Sequence, residues 1–322
     1  MSMNAILIIF FISYGLYSFF NNFKFWLLYI LFLIIYYFIS KYKFSSNNDN
    51  KNKENISKKI NYTSWSNPYD PQTYTTLRLD ITKILPYLKK KEEEIKVHLT
   101  PTIFTIKLMS IILKKYPEVY GYIKFGIYDT KEGVDICCLV EVGGGKELAN
   151  TTIKDCEKKN FQEIQKEFEK NVKSLKSRKN KDQNLKMKIF KFIPTFLTGP
   201  FTQIVSYLSS IGIKIDAVKL KKFEFGSCVI TSIGSLGIED SYAPIPPLTF
   251  APLLLTLCKM YHVNKLNEEQ KMETRTYLRM NFTSDYRFFS PKTASSIFKD
   301  IHLYGEDPEK FENECKKYAN NF

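Results

Sequence analysis

The chain has 322 residues, a formal net charge of +14, and a composition that is 44% hydrophobic and 15% aromatic; that is enough apolar material for one large globular domain or two small ones and excludes a wholly disordered chain. Only five of the 47 basic residues are arginines (Arg78, Arg178, Arg275, Arg279 and Arg287), and because arginine carries most bidentate phosphate and base recognition, the charge reads as a lysine-solvated surface with no nucleic-acid partner. The six cysteines (Cys137, Cys138, Cys156, Cys228, Cys258 and Cys315) contain no C-x-x-C pair, so neither a metal site nor a disulfide framework is expected and a reducing compartment suits the globular part.

Residues 5 to 20 and 25 to 40 are two apolar and aromatic runs separated by Asn21, Asn22, Phe23 and Lys24. As helices each is about 24 Å long, short of a hydrocarbon core of about 30 Å by an amount that flanking residues and a thin membrane such as the endoplasmic reticulum absorb. They predict a transmembrane hairpin over residues 1–43. The alternatives are a cleaved signal peptide followed by one anchor, or a hairpin dipping into one leaflet. The first four residues carry no basic region, no small-x-small pattern follows the first run, and no arginine precedes Arg78, which argues against secretory and mitochondrial leaders. Lys41, Lys43, Lys51, Lys53, Lys58 and Lys59 follow the second run and place what comes next on the cytosolic side. The expected localisation is therefore a multi-pass membrane protein, with the membrane as a partner and the globular domain in the cytosol. SSNNDNKNKENIS (45–57) is polar and without an apolar period; residues 44–61 read as a flexible tether and 62–322 as the globular domain.

Within that domain TLRLDITKILPYLKK (76–90) alternates and then turns helical, with Asp80 or Thr82 as candidate N-cap. PTIFTIKLMSIILKKYPEVYG (101–121) carries a dense apolar helical face closed by Pro117 and Gly121. VDICCLVEV (134–142) suits a buried strand. GGGK (143–146) lacks the G-K-[ST] of a phosphate loop and reads as a plain turn. Phe161, Ile164, Phe168, Val172 and Leu175 recur at helical spacing. Residues 193–213 are apolar but broken by Pro194, Gly199 and Pro200; a membrane-touching patch is one reading. FAPLLLTLCKM (250–260) and TRTYLRMNFTSD (274–285) read as strands, the second with Leu278, Met280 and Phe282 on one face and Arg279, Asn281 and Thr283 on the other.

The order LDIT, helix, charged turn, apolar helix, K-x-P-E resembles the N-terminal part of chloramphenicol acetyltransferase and of the acyltransferase domains of 2-oxoacid dehydrogenase complexes. FGSCVITSIGSLG (225–237) is similar to the dehydrogenase-type segment F-G-S-x-x-[VI]-[ST]-N-x-G-x-[LFM]-G, and EDPEKF (306–311) to the family's terminal E-D-P. The resemblance spans about residues 74 to 312. It implies an α/β (α+β) fold, a chloramphenicol acetyltransferase-like mixed sheet flanked by helices, with a trimer whose sites lie between subunits and with coenzyme A or acyl-coenzyme A as substrate. It also implies a pair of helices over residues 193–213, the other reading of that stretch, and roles for single residues. Thr231 falls on the Ser or Thr whose hydroxyl stabilises the tetrahedral oxyanion, while the adjacent family Asn is Ser232.

The family's catalytic motif D-H-R-x-x-D-G is replaced by Asp285, Tyr286, Arg287, Phe288, Phe289, Ser290 and Pro291. Tyr286 stands at the histidine position, Ser290 at the aspartate and Pro291 at the glycine. A thiol near 8.5 is well served by a base near 6.5 and poorly by a phenol near 10, and His98, His262 and His302 each lack an Asp-Gly four and five residues on. The expected function is an acyltransferase-fold protein of impaired catalysis, a binding or scaffold module or a partner of an active paralogue in mixed trimers. The alternative is an active acyltransferase whose base is Asp285, Tyr286 or the substrate. No lipoyl domain is expected ahead of the core.

Overall fold

The computed structural model describes residues 27, 29–32, 34, 35, 71–124, 126–142, 147–177, 195–214, 221–245, 249–266 and 270–319. The chain divides into two compact units. One comprises Met1–Asp70 with Phe125–Ile127, the other Pro71–Lys124 with Tyr128–Phe322. The expected hairpin, tether and domain boundary fall almost wholly outside the described residues, as does GGGK.

Among the described residues no helix is long and apolar enough to cross a membrane. This overturns the expected multi-pass membrane localisation. The physical reason is length: the helices bounded within the second unit reach at most 16 residues, about 24 Å, against a core of about 30 Å.

The second unit is built on a seven-stranded mixed sheet. Strand β1 (Gln72–Asp80) is followed by helices α1 (Ile84–Ile95) and α2 (Pro101–Lys115), and by a two-stranded ribbon of β2 (Tyr122–Lys124) and β3 (Ile127–Asp129). Strands β4 (Ile136–Val142) and β5 (Glu147–Ile153) lead to α3 (Phe161–Lys176) and α4 (Thr195–Ser210). The remainder is β6 (Cys228–Ser232), β7 (Leu253–Leu257), β8 (Tyr261–Leu266), β9 (Met272–Asp285), α5 (Pro291–Glu306) and α6 (Pro308–Lys316). The sheet order is β1-β9-β7-β6-β4-β5, with β8 also pairing β9. Only the β4–β6 and β6–β7 pairs are parallel, so the sheet is mixed, as expected.

Helix starts follow local chemistry, and in two places they differ from expectation. Helix α2 is capped by Thr100, whose hydroxyl accepts from the Ile103 amide, with Pro101 at the first helical position, the arrangement in which a missing N–H costs nothing. Helix α1 has no side-chain cap; its N-cap is Lys83. Asp80 instead accepts from the Thr82 amide at 3.0 Å and hydroxyl at 2.6 Å, closing the turn before the helix. Where a pair of helices or a membrane patch is expected around 193–213, there is one described helix, α4, with Pro200 inside it.

Alternation divides the sheet. One face carries Leu79, Ile136, Cys138, Ile230, Leu255, Met280 and Phe282, which are buried in one core with α2, α3, α5 and α6. Close approach on this side is strict: a Cβ on Gly305 of α5 would stand 2.3 Å from Leu79 Cδ1. The other face holds a small cluster of Cys137, Val229, Ile245, Ala251 and Leu254, against which Phe225 and Ala243 pack, so among the described residues the segments leading into β6 and β7 cover it there. Entry to β6 is made by Gly226 at φ +61°, where a Cβ would meet the Asp135 carbonyl at 2.4 Å, which is why FGS needs its glycine.

Candidate functional site

The loop after β9 is held by backbone bonds: the Asp285 amide donates to Pro252 and the Tyr286 amide to Pro71, at 2.9 and 2.8 Å. Asp285 itself is buried. Arg287 turns back on it, with Nε 3.0 Å from each carboxylate oxygen, Nη2 2.6 Å from Oδ2 and its amide 2.9 Å from Oδ1. A fork of charge-assisted bonds of this kind is strong and directional. It also occupies the carboxylate, so Asp285 is not poised as a free base.

Ser290 and Pro291 begin α5. The Ser290 hydroxyl accepts from the Thr293 amide at 3.1 Å and bonds the Thr293 hydroxyl at 2.9 Å, and Pro291 takes the first helical position. Both positions are thus filled by helix-start chemistry. Tyr286, Ser290 and Pro291 line one cleft of about 190 Å³ between β1, β9, α2 and α5. Its floor is Met109, Leu113, Leu253, Phe282 and Ile297, all buried. Its rim carries the hydroxyls of Thr73 and Ser284, which meet at 2.8 Å across the β1–β9 pair.

Thr231 lies elsewhere. It pairs in register with Thr256, which pairs with Asn281, which pairs with Thr76, so four polar side chains form one row across four strands. They share the face opposite the helices. Asn281 is 0% exposed; its amide nitrogen donates to Asp240 Oδ1 at 2.7 Å and to the Ser241 carbonyl at 2.9 Å, and its oxygen accepts from Thr76 at 2.9 Å. Arg279 pairs with Asp240 at 2.7 Å. Thr231 is 8% exposed, and the Thr256 hydroxyl is buried without a partner among the described residues. Ser232, expected from the resemblance to stand where the family has asparagine, is exposed at the strand end.

One chain therefore does not bring the expected residues together. Thr231 and Tyr286 are two strands and five residues apart, on the order of 20 Å by strand geometry, and on opposite faces of the sheet. Among the described residues lining the cleft there is no imidazole. His98 is paired with Glu92 at 3.0 Å and His262 with Thr276 at 3.0 Å, and none of the three histidines lines the cleft. All six cysteines are buried and free; burial pushes the Cys137 and Cys315 thiols up to about 12, which leaves them protonated at neutral pH and unreactive. Among the described residues no cluster suited to a metal ion occurs.

The cleft floor and the polar row are not encoded in any local pattern of the sequence. Strand alternation gives the face of Asn281, but pairing register, which places Thr256 and Thr76 beside it, is a long-range property. The cap role of Ser290 was legible: Ser-Pro ahead of an apolar helical stripe is a helix-start signal.

Residues 52–191 match the family described as 2-oxoacid dehydrogenases acyltransferase (catalytic domain). The matched span ends before Thr231 and Tyr286. No curated protein is similar enough in sequence to count as a relative. Among solved structures, the cubic core of a pyruvate dehydrogenase multienzyme complex aligns at a TM-score of 0.55 with 16% identity, covering 80% of this chain and 89% of that one. A probable dihydrolipoamide acetyltransferase from Listeria monocytogenes aligns at 0.53 with 14% identity, covering 85% and 97%. The truncated catalytic core of a 2-oxoacid dehydrogenase complex from Thermoplasma acidophilum aligns at 0.52 with 17% identity, covering 80% and 98%. In sequence over residues 52–191, and in fold over most of its length, the chain resembles the acyltransferase catalytic domains of 2-oxoacid dehydrogenases.

Proposed function

We propose that this protein is an acyltransferase-fold module of impaired catalysis that binds coenzyme A or its thioesters without efficient transfer, and that it assembles as a trimer. The observation that carries this reading is the loop after β9. Where relatives in the resemblance place a base and its brace, Ser290 and Pro291 start α5 and Asp285 is held by Arg287. No carboxylate or imidazole is left there to take a thiol proton. The trimer is supported by the resemblance and by the separation of Thr231 from Tyr286: a joint site needs Thr231 of one copy facing Tyr286 of another, with Thr231 in the oxyanion role.

A second reading is active transfer with Tyr286 as base, favoured by the place of Tyr286 in the cleft. Calorimetric titration with coenzyme A and an acyl-transfer assay on the same sample separate the two. The first reading expects binding with turnover at least about a hundredfold below active relatives, since general-base assistance is worth about 10²- to 10⁴-fold. Turnover at the rate of active relatives overturns it. Absence of coenzyme A binding also overturns it and leaves a scaffold.

A further inference from the structure

We propose that the cleft beside Tyr286 is an acyl-chain pocket for a chain of about six to eight carbons, somewhat more apolar volume than the benzene that a cavity of about 150 Å³ accepts. The proposal rests on the acyl-binding reading above and names its substrate class. The cleft measures about 190 Å³ and runs from an exposed rim to a buried floor. An acetyl group would leave most of that floor against water.

The lining also decides between occupants. Met109, Leu113, Leu253 and Phe282 offer no hydrogen-bond partner by their side chains, so the amides of a pantetheine arm inserted here would be stranded, an unfavourable outcome for any buried amide. A hydrocarbon chain has no such groups. Met109 is unbranched and adapts to an irregular filler. The polar side chains of the lining are all exposed or half-buried: the Thr73, Thr75 and Ser284 hydroxyls, Tyr286, and Ser290 at the N-terminus of the 16-residue α5. A thioester carbonyl or a carboxylate left at the mouth meets donors and the positive end of a helix. The shared chemistry is therefore an acyl chain with an oxygen-bearing head, carried either by coenzyme A or by a free acid.

The test uses the full chain. Binding of acetyl-coenzyme A, octanoyl-coenzyme A, coenzyme A and octanoate is measured by calorimetry, for wild type and Ala294→Leu, which fills the cleft from the α5 side. Octanoyl-coenzyme A is expected to bind at least about tenfold tighter than acetyl-coenzyme A, since each buried methylene adds to affinity, and Ala294→Leu is expected to erase that gain while leaving coenzyme A itself unchanged. Octanoate binding without coenzyme A binding supports the pocket and removes the coenzyme A reading. Equal affinity for the acetyl and octanoyl esters, unchanged by Ala294→Leu, overturns the pocket and leaves that reading standing. Should Ala294→Leu fail to fold, a diazirine-bearing octanoyl probe on wild type decides: label within residues 286–298 supports the pocket, and label elsewhere or none overturns it.

Discussion

Arg287 holds Asp285, two residues before it, through three side-chain contacts and its own amide, the shortest at 2.6 Å. The pair fixes the exit of β9 and so the place of Tyr286 between them. Removing the guanidinium strands a buried carboxylate. Arg287→Ala is expected to cost about 3 kcal/mol of stability, the range for breaking one partner of a buried pair, and Arg287→Lys to recover only part of it because the planar fork is lost. Urea denaturation checks both; near-wild-type midpoints would show that the pair contributes little.

Ser290 is expected to act through its cap. Ser290→Ala should cost about 1 kcal/mol, while Ser290→Asp keeps a capping oxygen and should be close to neutral. Thermal unfolding monitored by circular dichroism measures the difference. Equal losses in the two variants would refute the capping role.

Tyr286→Phe is expected to leave the residual acyl-transfer rate at saturating substrate unchanged, because the hydroxyl is not acting as the base. Loss of activity in a wild type that turns over readily would instead establish Tyr286 as the base. The combined change Tyr286→His, Ser290→Asp and Pro291→Gly tests whether the loop can still carry chemistry. Gain of even tenfold in rate would show that the frame around it is intact.

Gly305 has no room for a side chain against Leu79. Gly305→Ala is expected to destabilise by about 1 to 3 kcal/mol through overpacking, and adding Leu79→Val should relieve part of the clash. Strict additivity in that double-mutant cycle would mean that the two residues do not couple.

Lys131 is buried against the Phe223 ring, with Nζ 2.6 Å from the Gly226 carbonyl, and burial lowers its pKa from 10.5 to about 8. Between about pH 8 and 10.5 the unfolded chain therefore binds more protons than the folded one, so this group makes stability rise with pH across that window. At lower pH the charged amine is buried at a cost. Lys131→Met is expected to flatten that part of the profile, measured by chemical denaturation at pH 7 and pH 9.5; an unchanged slope would exclude Lys131 as its source.

The sequence by itself determined the elements that depend on neighbours along the chain. The apolar spacing from Phe161 to Leu175 specified α3, and the alternation of Leu278, Met280 and Phe282 specified the inner face of β9. Only the tertiary structure decided what those residues do together. Strand register, closed over separations of 25 residues and more, put Thr231, Thr256, Asn281 and Thr76 in one row, and the packing of α2 and α5 on the other face opened the cleft at Tyr286. Both results come from pairing and packing between distant segments, which no local period encodes, and they set Thr231 and Tyr286 on opposite sides of the same sheet.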